Sequence, residues 1–468
     1  MSTSECSGSP LMSLSELSAS LGLRHVSNSR DNGFSSVSID SRMVKNGSLF
    51  FALPGASCDG HAFVKEAFAS GARAAMVDSS KLENFNLINI AKEMERDLIV
   101  TENTLKGLQN AARVYLEKFP KLIKIGITGS SGKTTTKEIA SAIISCEKNT
   151  VMNKGNLNSE TGLPLSVFEV RAHHEAGVFE LGMNRKGEIL ETAEVLKPNI
   201  AAVTNIGSSH IENIGSKEGI VKEKKSIFSF MTDSDTALIP EYDEYADELS
   251  LNVPAKVKYY SAENFAEFEG SRSLGLDGTE ILWAGEKINF ALLGKHSLED
   301  AMTAIAIAKE LMVSNRAIKQ GLESVKPVFG RLEVIKGKRA VVIRDCYNAN
   351  PQSTAKSIEF CDSVGWHGRK IYIIADMLEL GSESLREHQK LGSVLAASGA
   401  HKIFLFGKEV MAAMEKLNRT GKTFYYTADI NDLSAAVDSF VQPGDLALLK
   451  GSRGMALERL SGMLTGDA

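Results

Sequence analysis

The run KLIKIGITGSSGKTTTKEIASAIIS, residues 121–145, decides the fold. Leu122, Ile123, Ile125 and Ile127 form a short apolar, largely β-branched segment that suits a buried strand, and residues 137–145 alternate as a helix packing on that strand would. Between them lies a glycine-rich turn. Gly129 and Gly132 let the backbone curl with its N–H groups inward, Ser130 and Ser131 line it, Lys133 supplies a positive charge, and Thr134 and Thr135 open the helix with hydroxyls. The pattern departs from G-x-x-x-x-G-K-[ST], because Ile127 stands where the first glycine is usual, with Gly126 and Gly129 on either side. Strand, loop, Lys-Thr pair and helix together predict a cradle for nucleotide phosphates.

Working outward, 468 residues exceed what one core organises and predict about three domains at the usual ~100 to 200 residues each. A hydrophobic share of 43% and a charged share of 24% are those of an ordinary globular protein. The net charge of -5 provides no bulk attraction for nucleic acid or an anionic membrane, so any polyanion must be bound locally, which disfavours a general nucleic-acid binder. Cys6, Cys58, Cys146, Cys346 and Cys361 are scattered and form no C-x-x-C pair, arguing against a disulfide framework and a zinc site. The first basic residue is Arg24 and no stretch approaches the ~18 apolar residues of a membrane span, so the expectation is a cytoplasmic protein without signal peptide or membrane insertion.

Residues 1–9 read as a frayed end and residues 11–21 as a short amphipathic helix. A small α/β unit follows, with a strand at 48–53, a turn at 54–60, a helix at 63–69 and a strand at 74–77; Ser41, Arg42, Asp59, Gly60 and His61 fall in its loops. A helix at 104–118 leads into the nucleotide strand. Beyond the loop helix, VMNKGNLNSETGLP (residues 151–164) is an Asn-rich loop, and residues 178–181 and 200–204 read as parallel central strands. Glu180 ends the first and residues 205–210 follow the second, at the carboxyl edge where open α/β sheets bind ligands. SKEGIVKEKKSIF (residues 216–228) is a helix carrying Lys217, Lys222, Lys224 and Lys225, for which a solvated face is the ordinary reading. Residues 233–290 are strand-and-turn in character, and residues 294–312 open an amphipathic helix. After a Pro and Gly hinge at 327–331, apolar strands at 341–343, 371–375, 403–406 and 446–449 alternate with helical stretches, the βαβ pattern of a doubly wound parallel sheet without a G-x-G-x-x-G turn.

With these pieces in place, the sequence resembles the Mur ligase family of ATP-dependent amide-forming enzymes along nearly its whole length. TGSSGKTTTKE, FELGMN, NIGSSHIE, GRLEV, DCYNANPQS and ADMLELG occur in the family's order. The resemblance implies a three-domain α/β fold: a small N-terminal UDP-sugar domain (1–100), a central P-loop ATPase domain with a mainly parallel sheet (101–326), and a C-terminal Rossmann-like domain (327–468) that closes over ATP and binds the acceptor. DCYNANPQS and ADMLELG point to the branch that joins D-alanyl-D-alanine to UDP-MurNAc-tripeptide, releasing ADP and phosphate and giving a peptidoglycan precursor. The D-N-P-R run of the diamino-acid-adding branch is absent.

The resemblance also implies roles. Lys133 would hold the β and γ phosphates; Thr134, Glu180 and His210 would hold magnesium. Lys224 lines up with the lysine that the family carbamylates with carbon dioxide to hold a second magnesium, Lys222 and Lys225 being its neighbouring competitors. Asn158 would sit near the γ phosphate, His296 and Arg331 would contact the nucleotide, and Asp345 would take the ribose hydroxyls. GKHSLEDA departs from the family's G-x-H-N-x-x-N-A, with Ser297 and Asp300 in place of Asn, so Asn348 becomes the candidate adenine contact. Ser41, Arg42, Asp59, Gly60 and His61 would meet the UDP-sugar, and Asn350, Asp376, Glu379 and Arg453 the acceptor dipeptide. The implied chemistry runs through an acyl phosphate made under two magnesium ions, in a monomeric enzyme. A sister ligase, such as the diamino acid ligase or a folylpolyglutamate synthetase, and a P-loop nucleotide switch stand as the alternatives.

Overall fold

The computed structural model describes residues 10–29, 33–55 and 57–466; the stretch 1–9 and Cys6 lie outside them. The chain forms two compact units, one of Met1–Gly126, Asn149–Leu181 and Leu190–Pro198, the other of Ile127–Lys148, Gly182–Ile189 and Asn199–Ala468.

The first unit is built on a five-stranded sheet in the order Arg24–Val26, Asp97–Thr101, Ala74–Asp78, Ser48–Phe51, Ser36–Ser38. All neighbours are parallel except the Arg24–Val26 edge. Its central strands read as continuous apolar runs because the helices Val64–Ala69 and Leu87–Glu93 add Phe68, Leu87 and Ala91 to a core with Phe50, Val77 and Leu98. Ser13 caps the helix Leu14–Leu21 by accepting from Glu16 N at 3.0 Å. That helix is shorter than the expected 11–21, because Met12–Ser13 instead pairs with Gly33–Phe34.

The first unit also pairs Ala176–Glu180 in parallel with Thr150–Met152; in the second, Ile200–Val203, Thr236–Pro240 and Lys256–Tyr260 pair in parallel in that order, and the strand Ile123–Thr128 leads into the nucleotide loop. In the second unit the helices Gly294–Glu310 and Asn315–Ser324 flank the loop helix Lys133–Ile144. A side chain at Gly321 would collide with the Ile143 backbone, so this glycine is what lets two of those helices touch. Phe268–Ser273, Thr279–Trp283 and Glu286–Phe290 form a separate antiparallel sheet, consistent with the strand-and-turn reading of that stretch.

The last sheet runs Glu333–Lys336, Ala340–Asp345, Asp445–Lys450, Lys370–Ala375, Lys402–Phe406, Phe424–Thr427, parallel except for its first strand. Ile343, Tyr372, Ile374 and Leu448 face one core; Val342, Ile371, Ile373 and Leu449 face another. Burying each such side chain contributes roughly 1.5–3 kcal/mol, and a sheet covered on both faces is the doubly wound arrangement the βαβ pattern predicts. The edge strands Glu333–Lys336 and Phe424–Thr427 are additions to the expected four. Only half-buried for most of their length, they lack the apolar run that marks the inner strands.

Cys58, Cys146, Cys346 and Cys361 are all free thiols. Among the described residues no helix is long and apolar enough to cross a membrane.

Candidate active site

The nucleotide loop is shaped by two glycines and tied down by the strand beside it. Gly129 (φ 155) and Gly132 (φ 80) take conformations that side chains disfavour; a Cβ at Gly129 would run into Thr204 Oγ1, and one at Gly132 into the Asp300 carboxylate. Ser130 N donates to Asn205 O at 3.0 Å, Ser131 N to Asn205 Oδ1 at 3.0 Å, and Gly207 N to Ser130 Oγ at 2.7 Å. Thr204 Oγ1 and Ser209 Oγ complete the lacing by donating to Ser131 O (2.6 Å) and Ser130 O (3.1 Å). The helix Lys133–Ile144 that follows starts at Gly132, which has no side chain to cap it, and the positive end of its dipole faces the loop. Lys133 Nζ folds back to Gly129 O at 2.9 Å. Asn205 and Ser209 are the structural residues behind this geometry; NIGSSH, following a buried strand, is the signal that marks them.

His210 follows that lacing in a left-handed conformation (φ 63), and Glu379, from the ADMLELG stretch, faces it in another (φ 66). His210 Nδ1 lies 2.7 Å from Glu379 Oε2, an ion-pair distance at an angle short of good hydrogen-bond alignment. The His210 imidazole beside it holds the Glu379 carboxyl below the usual range.

On the helix Lys217–Lys225 the three candidate lysines separate cleanly. Lys222 is exposed, and Lys225 donates to Glu248 O (2.7 Å) and Leu251 O. Lys224 is 1% exposed, and its amine has a hydrogen-bond-range neighbour in Met183 Sδ at 3.9 Å. Burial first, then the Lys133 charge, push its pKa well below the ordinary lysine value, with Glu223 opposing. Glu223 itself is taken up by Gly187 N (2.8 Å) and Ile189 N (2.9 Å), which fixes the loop bearing Met183.

His296 is half-buried at the start of Gly294–Glu310, and its burial pushes the imidazole down to about 4. Asp300, one turn on, is buried beneath Gly132. Its pKa rises from 3.8 to about 7, through burial first and the Glu299 charge second, against Arg331 and Lys356. The raised value means that the folded chain holds a proton the unfolded chain has released. This group's contribution to stability is therefore complete below about pH 4 and lost as pH rises through 7. Asp300→Asn, uncharged and of the same shape, is expected to stabilise the protein least in acid and most above pH 7, by about 4 kcal/mol across that range. Thermal melts at pH 4.5 and 8 test it; an equal shift at both would mean that Asp300 ionises normally.

The hinge brings Arg331 to the nucleotide loop: its guanidinium donates to Thr134 Oγ1 at 3.0 Å and lies 4.5 Å from the Tyr347 ring centroid. Asp345 is engaged at both oxygens, accepting from Leu332 N (3.2 Å) on one and from Lys450 Nζ (2.8 Å) and Ser357 Oγ (2.5 Å) on the other. Burial opposes its charge, but Lys450 outweighs it and holds the carboxyl below its ordinary value. Asn348 is exposed and its Oδ1 accepts from Ala349 N at 2.9 Å. Asn350 caps the helix Pro351–Ser363 in a reciprocal box with Ser353 and donates to Ser209 Oγ at 2.6 Å, joining NANP to the nucleotide strand's lacing.

Asp376 accepts from Lys408 N (2.9 Å) and Val410 N (2.8 Å), so it holds the next loop. Arg453 pairs with Glu458 at 2.8 Å and lies over Phe329 and Tyr347, at 5.5 and 6.0 Å from their centroids.

In the first unit, Asn158 Nδ2 donates to Glu180 Oε1 at 2.6 Å, and Asn153 fastens the Asn-rich loop to the backbone of Glu180 from both sides. His61 is buried: Nδ1 lies 2.6 Å from Asp59 Oδ1 and Nε2 accepts from Asp78 N at 2.9 Å. Burial opposes the Asp59 charge, yet His61 and Lys81 bring its carboxyl down to about 2. Gly60 has no room for a side chain against the Leu53 backbone. Ser41 is buried, whereas Arg42 is exposed and forks onto Asp40 at 2.9 and 2.7 Å.

Residues 34–115 match the Mur ligase family, catalytic domain, residues 127–308 the Mur ligase middle domain, and residues 330–453 the Mur ligase, glutamate ligase domain. The UDP-N-acetylmuramoyl-tripeptide--D-alanyl-D-alanine ligase of Treponema pallidum (strain Nichols) is 39% identical, the match covering 97% of this chain and 99% of that one. The protein of the same name from Bacillus subtilis (strain 168) is 33% identical over 91% and 92%. A solved structure of MurF from Acinetobacter baumannii superposes with a TM-score of 0.85 at 27% identity, covering 98% of this chain and 99% of that chain. MurF ligase from Thermotoga maritima in complex with ADP superposes at 0.76, with 25% identity over 92% and 97%. With three family models placed along it and relatives 39% and 33% identical over 97% and 91% of its length, the chain belongs to the Mur ligase family.

Proposed function

We infer that this chain is an ATP-dependent ligase that joins D-alanyl-D-alanine to UDP-N-acetylmuramoyl-tripeptide, giving the pentapeptide precursor of peptidoglycan with ADP and phosphate. The observation that carries it is the glycine-shaped nucleotide loop leading into the helix Lys133–Ile144, with Arg331 from the hinge donating to Thr134 at its start. The names of the relatives supply the substrates.

The reaction follows from what such a loop does for amide synthesis. A carboxylate oxygen of the donor attacks the γ phosphorus; the bond to the ADP oxygen breaks and an acyl phosphate forms. Lys133, Arg331 and the first helical N–H groups offset the repulsion between two anions brought together. The dipeptide amine then attacks the acyl carbon, phosphate leaves, and the amine's proton passes to a base. Asn158 serves the γ-phosphate side; Asn350, Asp376, Glu379 and Arg453 are our candidates around the acceptor. His296, Asp345 and Asn348 are those around the nucleoside, and the loops at Ser41 and Arg42 and at Asp59, Gly60 and His61 those around the UDP-sugar.

Magnesium, when bound, would neutralise phosphate charge. Among the described residues no cluster of three or more His, Cys, Asp or Glu is present; the donors that would meet the ion are a hydroxyl, a carboxylate and an imidazole, with phosphate oxygens and water completing its shell. Thr134, Glu180 and His210 would hold it. Lys224 fits carbamylation: burial pushes its pKa down, so the amine gives up its proton more readily, and the free amine is the form that adds to carbon dioxide. We place the domain boundaries at 1–100, 101–326 and 327–468, and the protein in the cytoplasm as a monomer.

Phosphate release with ATP and magnesium tests the whole reading, with donor and dipeptide added separately and together and the product weighed. Release that needs both, with a product heavier by the dipeptide less water, is expected. Release indifferent to both would make the chain a nucleotide switch; turnover of another carboxylate and amine would make it a sister ligase.

A further inference from the structure

Glu379 is exposed, yet everything around it is fastened. Asp376 is held by two N–H groups of the next loop, Met377 N donates to His388 Nε2 at 3.1 Å, and Leu378 N to Ser452 Oγ at 2.8 Å. The stretch so held meets the His210 turn at three points. Glu379 Oε2 lies 2.7 Å from His210 Nδ1, Glu212 N donates to Glu379 O at 3.3 Å, and Gly381 sits where any side chain would press on Glu212. Both His210 and Glu379 are non-glycine residues in the left-handed region, a conformation that persists only where the surroundings enforce it, and one concentrated at functional sites.

An imidazole has two nitrogens, and the one that keeps a proton toward a carboxylate leaves the other with its lone pair free for a metal. His210 comes from the nucleotide-binding sheet and Glu379 from the last sheet of the fold. We propose that Glu379 is a positioning residue for His210, a latch by which docking of the acceptor-binding sheet turns the imidazole toward magnesium. This rests on the reading of His210 as a magnesium ligand. Its consequence is an order of events: the metal site is completed only when the C-terminal part has docked, so phosphoryl transfer waits for the shell that keeps water from the acyl phosphate.

The test uses the full-length protein with ADP and manganese as the probe. Manganese affinity is read by electron paramagnetic resonance, and imidazole coordination by the nitrogen modulation of the spin echo. The parent should bind manganese with an imidazole signature that His210→Ala loses. Glu379→Ala should weaken manganese binding about 10-fold or more and diminish the signature, the usual cost of removing a partner that orients a metal-bound histidine. Glu379→Gln, whose amide oxygen can take the carboxylate's place beside Nδ1, should restore most of both, which a general loosening of the turn would not do. If Glu379→Ala binds manganese like the parent while His210→Ala does not, the latch is wrong and the metal reading stands. Should His210→Ala bind as tightly as the parent, the metal reading falls and the latch with it.

Discussion

Lys133→Ala is expected to lower kcat/KM for ligation by about a thousandfold, roughly 4 kcal/mol of transition-state stabilisation. The charge it removes is the one carried by the nucleotide loop itself, where negative charge spreads over the transferring phosphoryl oxygens. Arg331 is held elsewhere by Thr134 and Tyr347, so it does not take the vacated place. The loop's shape should survive, because it is set by Gly129, Gly132 and the lacing to Thr204, Asn205, Gly207 and Ser209. Phosphate release with both substrates present measures the loss, and an unchanged melting temperature separates it from unfolding. Lys133→Arg should recover little, since a planar fork does not replace a compact ammonium in a turn this tight. A loss below tenfold would move the main phosphate contact away from Lys133.

The fold was legible wherever burial on both faces writes a continuous apolar run, as in Ile371–Ala375 or the strand before Gly129. It was illegible at the half-buried edges Glu333–Lys336 and Phe424–Thr427, where water relaxes the demand for apolar residues. Local order could be read where strand, glycine turn and helix follow one another, as from Ile123–Thr128 to Lys133–Ile144; the capping of Pro351–Ser363 by Asn350 was not read. What depends on distant partners could not. Nothing near Asp345 in the chain announces Lys450, and nothing near Glu379 announces His210. The resemblance prefers Lys224 to Lys222 and Lys225, while the residues alone do not; packing sets Lys224 apart from both, because one residue's step around a helix carries a side chain from water to core.

That packing makes Lys224→Met the second informative change. Methionine matches the length of the lysine stem and fills the space beside Met183, but cannot be carbamylated. Ligation is expected to fall by at least a hundredfold, on the order of losing one stabiliser of transferring charge. Depleting carbon dioxide should slow the parent, and bicarbonate should restore it, whereas the variant should respond to neither. The same change should stabilise the fold. Because the folded-state pKa of Lys224 lies well below the ordinary 10.5, the unfolded chain binds a proton that the folded chain does not. The parent's stability then rises with pH up to the ordinary lysine value, and the advantage of Lys224→Met is largest in acid and fades toward pH 10. Melting curves across that range, run on carbon-dioxide-depleted protein so that the parent carries the free amine, separate the two claims. A flat difference with lost activity would mean that Lys224 is charged when folded and acts as a cation; a sloping difference with activity intact would mean that the amine is buried without taking part in the chemistry.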